Sequence, residues 1–242
     1  MKAIDINTEQ KPMNSYKNTA RIAGLLFLAG TVTALPLSFS ESILNAPNYL
    51  TGIAAHSTQV LIGALLDFLA AVFSGCIAVS LYPVLKKQNE ALALGAVGFR
   101  LLEPVFYIVN VIGILSLVTL SQDFVRAGAP AASAYQIVGT VIQAARAYAN
   151  YAFGVSTFSL GALMYYVVFY QSRFIPRWLA GWGVIAATLS LAAAFLVMFG
   201  FKPLSPFFTV LILPIFFQEI VLEGWLIFKG FNPSAIASLS AK

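Results

Sequence analysis

Residues Ser57–Leu85 read STQVLIGALLDFLAAVFSGCIAVSLYPVL, and the chain then turns polar at Lys86-Lys87-Gln88-Asn89-Glu90. The stretch holds one Asp, Glu, Lys or Arg, namely Asp67. A helix needs about 20 apolar residues to cross the hydrocarbon of a bilayer, and this run is long enough. Two lysines at its end are the stop expected on the cytoplasmic side of a span.

The same alternation of apolar run and polar stop recurs in both directions. Spans are expected over about 20–39, 57–85, 92–120, 146–170, 178–199 and 207–228. Residues 1–17 are polar and read as a disordered cytoplasmic tail, 18–230 as the bundle, and 231–242 as a second cytoplasmic tail. The first run follows Arg21, with Pro36 near its outer end; no A-x-A site closes it, so it reads as a retained helix. Asn45, Pro47, Asn48 and Gly52 make 41–55 a loop. The chain is helix-compatible throughout 135–170, more than one span needs, so its first turns up to Arg146 are expected outside the hydrocarbon. Splitting that stretch would give seven helices. The fold expected is an all-α polytopic membrane bundle of six transmembrane helices with N- and C-termini cytoplasmic.

Composition agrees. Of 242 residues, 60% are hydrophobic and 10% charged, with mean hydropathy +0.85. Soluble proteins carry roughly 25% charged residues, so too few charges exist to clothe a water-facing surface. The net charge of +5 points to no nucleic acid, because the basic residues sit at helix ends rather than on an aromatic-basic face. Lys2, Lys11, Lys17, Arg21, Lys86, Lys87, Arg173, Arg177, Lys229 and Lys242 fall on the side assigned to the cytoplasm. The opposite loops hold Arg126 and Lys202, the bias that orients membrane proteins. Trp178, Trp182, Trp225, Tyr165, Tyr166 and Tyr170 are expected to form an aromatic belt near the cytoplasmic interface.

Asp67, Arg100, Glu103, Arg146, Glu219 and Glu223 fall within or at the edge of the spans. A charge at mid-bilayer costs on the order of 2.5–3.5 kcal/mol on insertion scales, so these groups must face one another. Arg100, Glu103, Tyr107 and Asn110 recur at helical spacing and form one stripe. Gln59, Gly63, Asp67, Ala70 and Ser74 form a second, and Arg146, Asn150, Gly154, Thr157 and Gly161 a third. Glu219 and Glu223 share a face one turn past Pro214. At 1.5 Å per residue, Arg100 lies about 13 Å from the inner end of its helix, between Glu223 at about 9 Å and Glu219 at about 15 Å. An inner Arg100–Glu219/Glu223 pairing and an outer Asp67–Arg146 pairing follow as expectations. Four acids against two arginines leave at least one acid, Glu103 or one of Glu219 and Glu223, expected to hold its proton.

His56 is the sole histidine and Cys76 the sole cysteine, so a histidine-based metal site is not expected. No HExxH, GxSxG, phosphate-binding loop or dinucleotide fingerprint occurs, and no cofactor is expected.

The chain resembles a family of bacterial multi-pass membrane proteins described as domain of unknown function 4386. The residues that carry the resemblance are Ala20-Arg21-Ile22-Ala23-Gly24-Leu25-Leu26, Phe99-Arg100-Leu101-Leu102-Glu103, Ser172-Arg173-Phe174-Ile175-Pro176-Arg177, and Pro214 through Glu219 to Trp225-Leu226-Ile227-Phe228-Lys229-Gly230. The resemblance implies a bacterial inner-membrane location and an all-helical fold, with Arg100, Glu103 and Glu219 as matching polar positions. It brings no activity with it.

Three functions fit these residues. The first is transport or sensing of a small ion or solute at the buried polar cluster. The second is a non-catalytic scaffold or accessory subunit whose polar network serves the fold. The third is an intramembrane lipid-modifying enzyme, which the absence of a nucleophile–base pair disfavours. The lipid bilayer is the one partner that the composition requires, and protein partners are left open.

Overall fold

A computed structural model describes residues 6–35, 37–130 and 134–240. Lys2, Pro36 and Lys242, used in the reading above, lie outside the described residues. The described chain is helical throughout. In order come α1 (Ile6–Ala34), α2 (Leu37–Leu44), α3 (Tyr49–Ala55), α4 (Ser57–Leu85) and α5 (Glu90–Arg126). There follow α6 (Ala134–Ala147), a π-turn over Tyr148–Gly154, α7 (Val155–Ser172), α8 (Arg177–Met198), α9 (Pro206–Phe228) and α10 (Pro233–Ser240).

Among the described residues, five helical segments are long and apolar enough to cross a membrane: Ser57–Leu85, Glu90–Arg126, Ala134–Ser172, Arg177–Met198 and Pro206–Phe228. The third is α6, the π-turn and α7 run together, so the stretch is not split into two helices. Large apolar side chains cover the outward faces. Leu65 and Val79 on α4, Val105 and Ile112 on α5, Ile185 on α8 and Val210 on α9 are all exposed. A soluble protein rarely shows contiguous apolar surface on this scale, and these helices satisfy their own backbone groups as lipid demands. The protein is an integral membrane protein.

Short connections fold the helices into antiparallel neighbours. Asn89 caps α5 by accepting from the Leu92 amide at 3.0 Å, with Glu90 in the first turn where the helix dipole favours an acid. Arg173 ends α7 in the left-handed region at φ 57°, and Pro176 opens α8. Ser205 caps α9, with Pro206 in its first turn. The helices close into a ring in the order α1, α4, α5, α7, α8, α9 and back to α1. Lys86, Lys87, Arg173, Arg177 and Lys229 mark one end of this ring, the basic end. There Lys87 meets the Tyr16 ring of α1, 4.9 Å from its centre.

Several elements differ from the sequence expectation. The helix α1 starts at Ile6, inside the segment read as a disordered tail, because a helix once nucleated extends at little further cost. The 41–55 loop is instead mostly α2 and α3, whose Leu44, Leu50 and Ile53 are buried. They close the end of the bundle opposite the lysines against α4 and α5. The 231–242 tail is anchored by Phe231 and Ile236, both in the main core. Tyr165 and Tyr166 are buried at 1% and 0% exposure, so they leave the expected belt and enter that core. Trp178, Tyr170 and Phe228 are exposed aromatics at this end.

Helix contacts rest on small residues, as in membrane bundles generally. A Cβ at Gly24 would stand 3.0 Å from the Glu223 carbonyl oxygen and from the Ile227 amide of α9. Gly98 faces open space. Gly24→Ala should therefore destabilise the folded protein by about 1–3 kcal/mol through overpacking. Gly98→Ala should be neutral or stabilising by up to about 1 kcal/mol. Thermal unfolding of the two variants in one detergent gives the comparison, and equal shifts would contradict close α1–α9 packing.

Candidate functional site

The site is built on α5. Arg100 is 2% exposed, and its aliphatic stem lies across Gly161 of α7, where a Cβ would come within 2.7 Å of its Cγ. The guanidinium stacks 4.8 Å above the centre of the Phe158 ring, a cation–π contact strengthened by the dry surroundings. One turn on, Glu103 stands 3.2 Å from Arg100 Nη1. It also accepts a hydrogen bond from Ser74 of α4 at 2.7 Å. Pro104 has no N–H to offer the Arg100 carbonyl, so the helix loses one rung beside the charged pair. Tyr107 packs onto Gly154, where a Cβ would stand 2.6 Å from its ring.

These groups border a cavity of about 300 Å³ on the axis of the ring. All six ring helices contribute: Thr31 from α1, Ser74 from α4, Arg100, Glu103 and Tyr107 from α5, Phe158 from α7, Ser190 from α8 and Glu219 from α9. Tyr165 donates a long hydrogen bond of 3.5 Å to Glu219. Phe27, Ile77, Ile215 and Phe216 supply apolar wall. At about 30 Å³ per liquid water, the space would accommodate roughly ten. Two Arg100 nitrogens, Nε and Nη1, are buried here without a hydrogen-bond partner among the described residues. Nη1 is close enough to Glu103 for charge attraction but is not directed at it as a hydrogen bond.

A second polar cluster lies further from the basic end and is closed. Arg146 is also 2% exposed. Its Nη1 and Nη2 donate to the two carboxylate oxygens of Glu41 at 2.9 and 3.1 Å. Nη1 also reaches Asn110 Oδ1 at 3.2 Å, and Nε donates to Gln143 at 2.7 Å. Asn110 in turn donates to Asp67 at 2.6 Å, so an amide bridges the acid to the arginine.

Both expected pairings are thereby corrected. Arg100 pairs with Glu103 of its own helix, while Glu219 shares the cavity and Glu223 turns to α1, accepting from Thr31 at 3.2 Å. Arg100 and Glu219 do border one cavity, but direction around the axis decides contact. Arg146 pairs with Glu41 and not directly with Asp67, because α2 folds over the bundle end and carries Glu41 inward. Arg146 is thus buried in protein. Asn150 lies on the π-turn, half-buried, outside the cavity lining. Glu41, Gln143, Thr31 and Phe158 escaped the sequence reading. For Glu41 a signal existed, since 37–44 holds neither Gly nor Pro. Among the described residues no group of His, Cys, Asp and Glu is placed to hold a metal ion.

Breaking the closed cluster from one side strands a buried charge, which costs about 3–5 kcal/mol. Arg146→Gln and Glu41→Gln should each destabilise on that order, and the double variant should recover part of the loss. Denaturation in detergent for the complete cycle measures the coupling; strictly additive losses would break the proposed pair.

No curated protein and no solved structure matches this chain. One family model does, spanning residues 22–230, from the second half of α1 to the residue after Lys229. That match takes in the ring of helices, the cavity and both arginine clusters, and the chain belongs to the family described as domain of unknown function (DUF4386).

Proposed function

We propose that the protein is a six-span bacterial inner-membrane protein, with both termini cytoplasmic, that binds a small polar solute or ion in its axial cavity for transport or sensing. The sixth span is the apolar part of α1, whose Ile22, Leu25 and Val32 face outward while Ala23 and Phe27 enter the core. The basic end is assigned to the cytoplasm by the Lys/Arg bias.

The observation that carries this function is Arg100, a buried guanidinium in the cavity lining whose Nε and Nη1 have no hydrogen-bond acceptor among the described residues, Nη1 meeting Glu103 by charge attraction alone at 3.2 Å. A buried donor left without an acceptor costs about 1–3 kcal/mol, more when charged. A protein keeps such a group where something else supplies the acceptor. Water can do so between turnovers, and a solute oxygen can replace it. Glu103 and Glu219 on either side admit a proton or a cation beside the arginine, whereas apolar wall disfavours large hydrated ions.

The scaffold function is supported by a different observation, the closed Glu41–Arg146–Asn110–Asp67 cluster, whose guanidinium nitrogens are all engaged. That cluster holds α2, α4, α5 and α6 in register and leaves no guanidinium nitrogen open for a ligand. A structural role for it is compatible with a binding role for the cavity.

Two measurements test the cavity. In a Cys76→Ser background, Ala70→Cys and Ile212→Cys place single thiols on its wall, with Leu179→Cys as a core control. Membrane-impermeant maleimide should label the first two in folded protein and leave the third protected. Protection of all three would mean a dry interior and sink the solute site. Neutralising the axial pair, as Arg100→Gln with Glu103→Gln, should change stability by no more than about 1 kcal/mol or raise it. A loss of several kcal/mol would make the pair structural.

A further inference from the structure

A second cavity, of about 640 Å³, lies at the basic end and is independent of the axial site. It sits where the α7–α8 connection meets the α9–α10 connection. Two of the motifs by which the sequence resembles its family, Ser172 to Arg177 and Trp225 to Gly230, supply most of its wall, and neither touches the axial cavity. The wall is held by backbone and core contacts. The Asn232 amide donates to the Phe174 carbonyl at 2.8 Å, and Phe231 lies 6.0 Å from both Phe169 and Phe174, ring centre to ring centre. Gly230 turns the chain at φ 72°. The cavity is therefore a fixed feature of two braced loops.

Its chemistry is one-sided. Arg173, Arg177 and Lys229 line it, all three exposed, and no Asp or Glu does. Among the described residues none of the three forms an ion pair. Lys/Arg bias at a cytoplasmic membrane face accounts for the sign of these charges but not for gathering three around one hollow. Arg177 lies over the Tyr170 ring at 5.3 Å, much as Lys86 and Lys87 lie over the Tyr82 and Tyr16 rings, but those two lysines line no part of the hollow. Trp178 beside Arg177 and Phe228 beside Lys229 in the chain are 57% and 82% exposed, which gives apolar chains a surface next to the charges.

We infer that this pocket binds the phosphate of an acidic phospholipid headgroup, with Arg173, Arg177 and Lys229 as its cationic contacts and Trp178 and Phe228 flanking the acyl chains. A phosphate has the charge to satisfy three cations, and basic hollows at the cytoplasmic face hold such headgroups elsewhere. A soluble phosphate could satisfy the same cations, so the test separates the two sources.

The full chain, in nanodiscs of phosphatidylcholine with a minor fraction of spin-labelled phosphatidylglycerol, reports the immobilised lipid fraction. Phosphatidylglycerol should be retained over spin-labelled phosphatidylcholine. Arg177→Gln and Lys229→Gln should each weaken that preference about fivefold, while Arg177→Lys preserves most of it. The double variant Lys86→Gln/Lys87→Gln, at the same end but outside the pocket, should leave it unchanged. Equal losses in pocket and control variants, or no preference between the lipids, would overturn the site. Inorganic phosphate and glycerol 3-phosphate, added at millimolar concentration, should fail to displace the lipid. Their displacing it would overturn the lipid assignment in favour of a soluble phosphate.

Discussion

Two arginines, each 2% exposed, stand inside a bundle whose outer surface is hydrocarbon-facing, and the rest of the architecture answers to them. Lipid offers a guanidinium no acceptor, so every partner must come from the protein or from what the protein encloses. Arg146 receives the first solution. A short helix folds inward over the bundle end, presents Glu41 to both terminal nitrogens, and two amides complete the set. Arg100 receives a partial one, with a nearby acid, an aromatic face and two nitrogens without a hydrogen bond among the described residues. The contrast between identical side chains at identical burial separates a structural polar cluster from one that has room for a ligand.

That room is made by the backbone as much as by side chains. Gly161 lets the Arg100 stem lie flat against α7, and Gly154 does the same for Tyr107. The π-turn at Tyr148–Gly154 adds a residue to the long α6–α7 helix just where those contacts begin, a device common near functional sites. Pro104 loosens α5 between Glu103 and Tyr107. Each feature weakens regular helix packing locally, and together they leave a hollow that six helices border. Elsewhere the ring is close-packed through Gly24 and through Gly183, which underlies the Tyr166 ring.

The two ends of the molecule are finished differently. At one, α2 and α3 form an apolar cap with Leu44 and Ile53 buried, so the end is sealed by packing and by the Glu41 bridge. At the other, two loops are braced around Phe231, and the surface between them is basic. Charges that orientation requires are thus placed on a rigid frame, which is what turns a topological bias into a recognisable pocket.

Fold class was legible because it depends on local quantities: the length of apolar runs such as 57–85, the stops at Lys86-Lys87, the scarcity of charge. So was the membership of the polar stripes, since helical periodicity alone puts Arg100, Glu103, Tyr107 and Asn110 on one face. What these local rules leave free is rotation of each helix about its axis and the path of segments between spans. Those are set by packing among distant residues, such as Gly161 under Arg100 and Glu41 reaching Arg146 across 105 positions. Tertiary structure alone therefore chose the ion-pair partners, turned Tyr165 and Tyr166 inward, made helices of the 41–55 loop, and left two donors of Arg100 open. Periodicity specifies which side chains must leave the lipid, while the shapes that meet inside decide which of them touch.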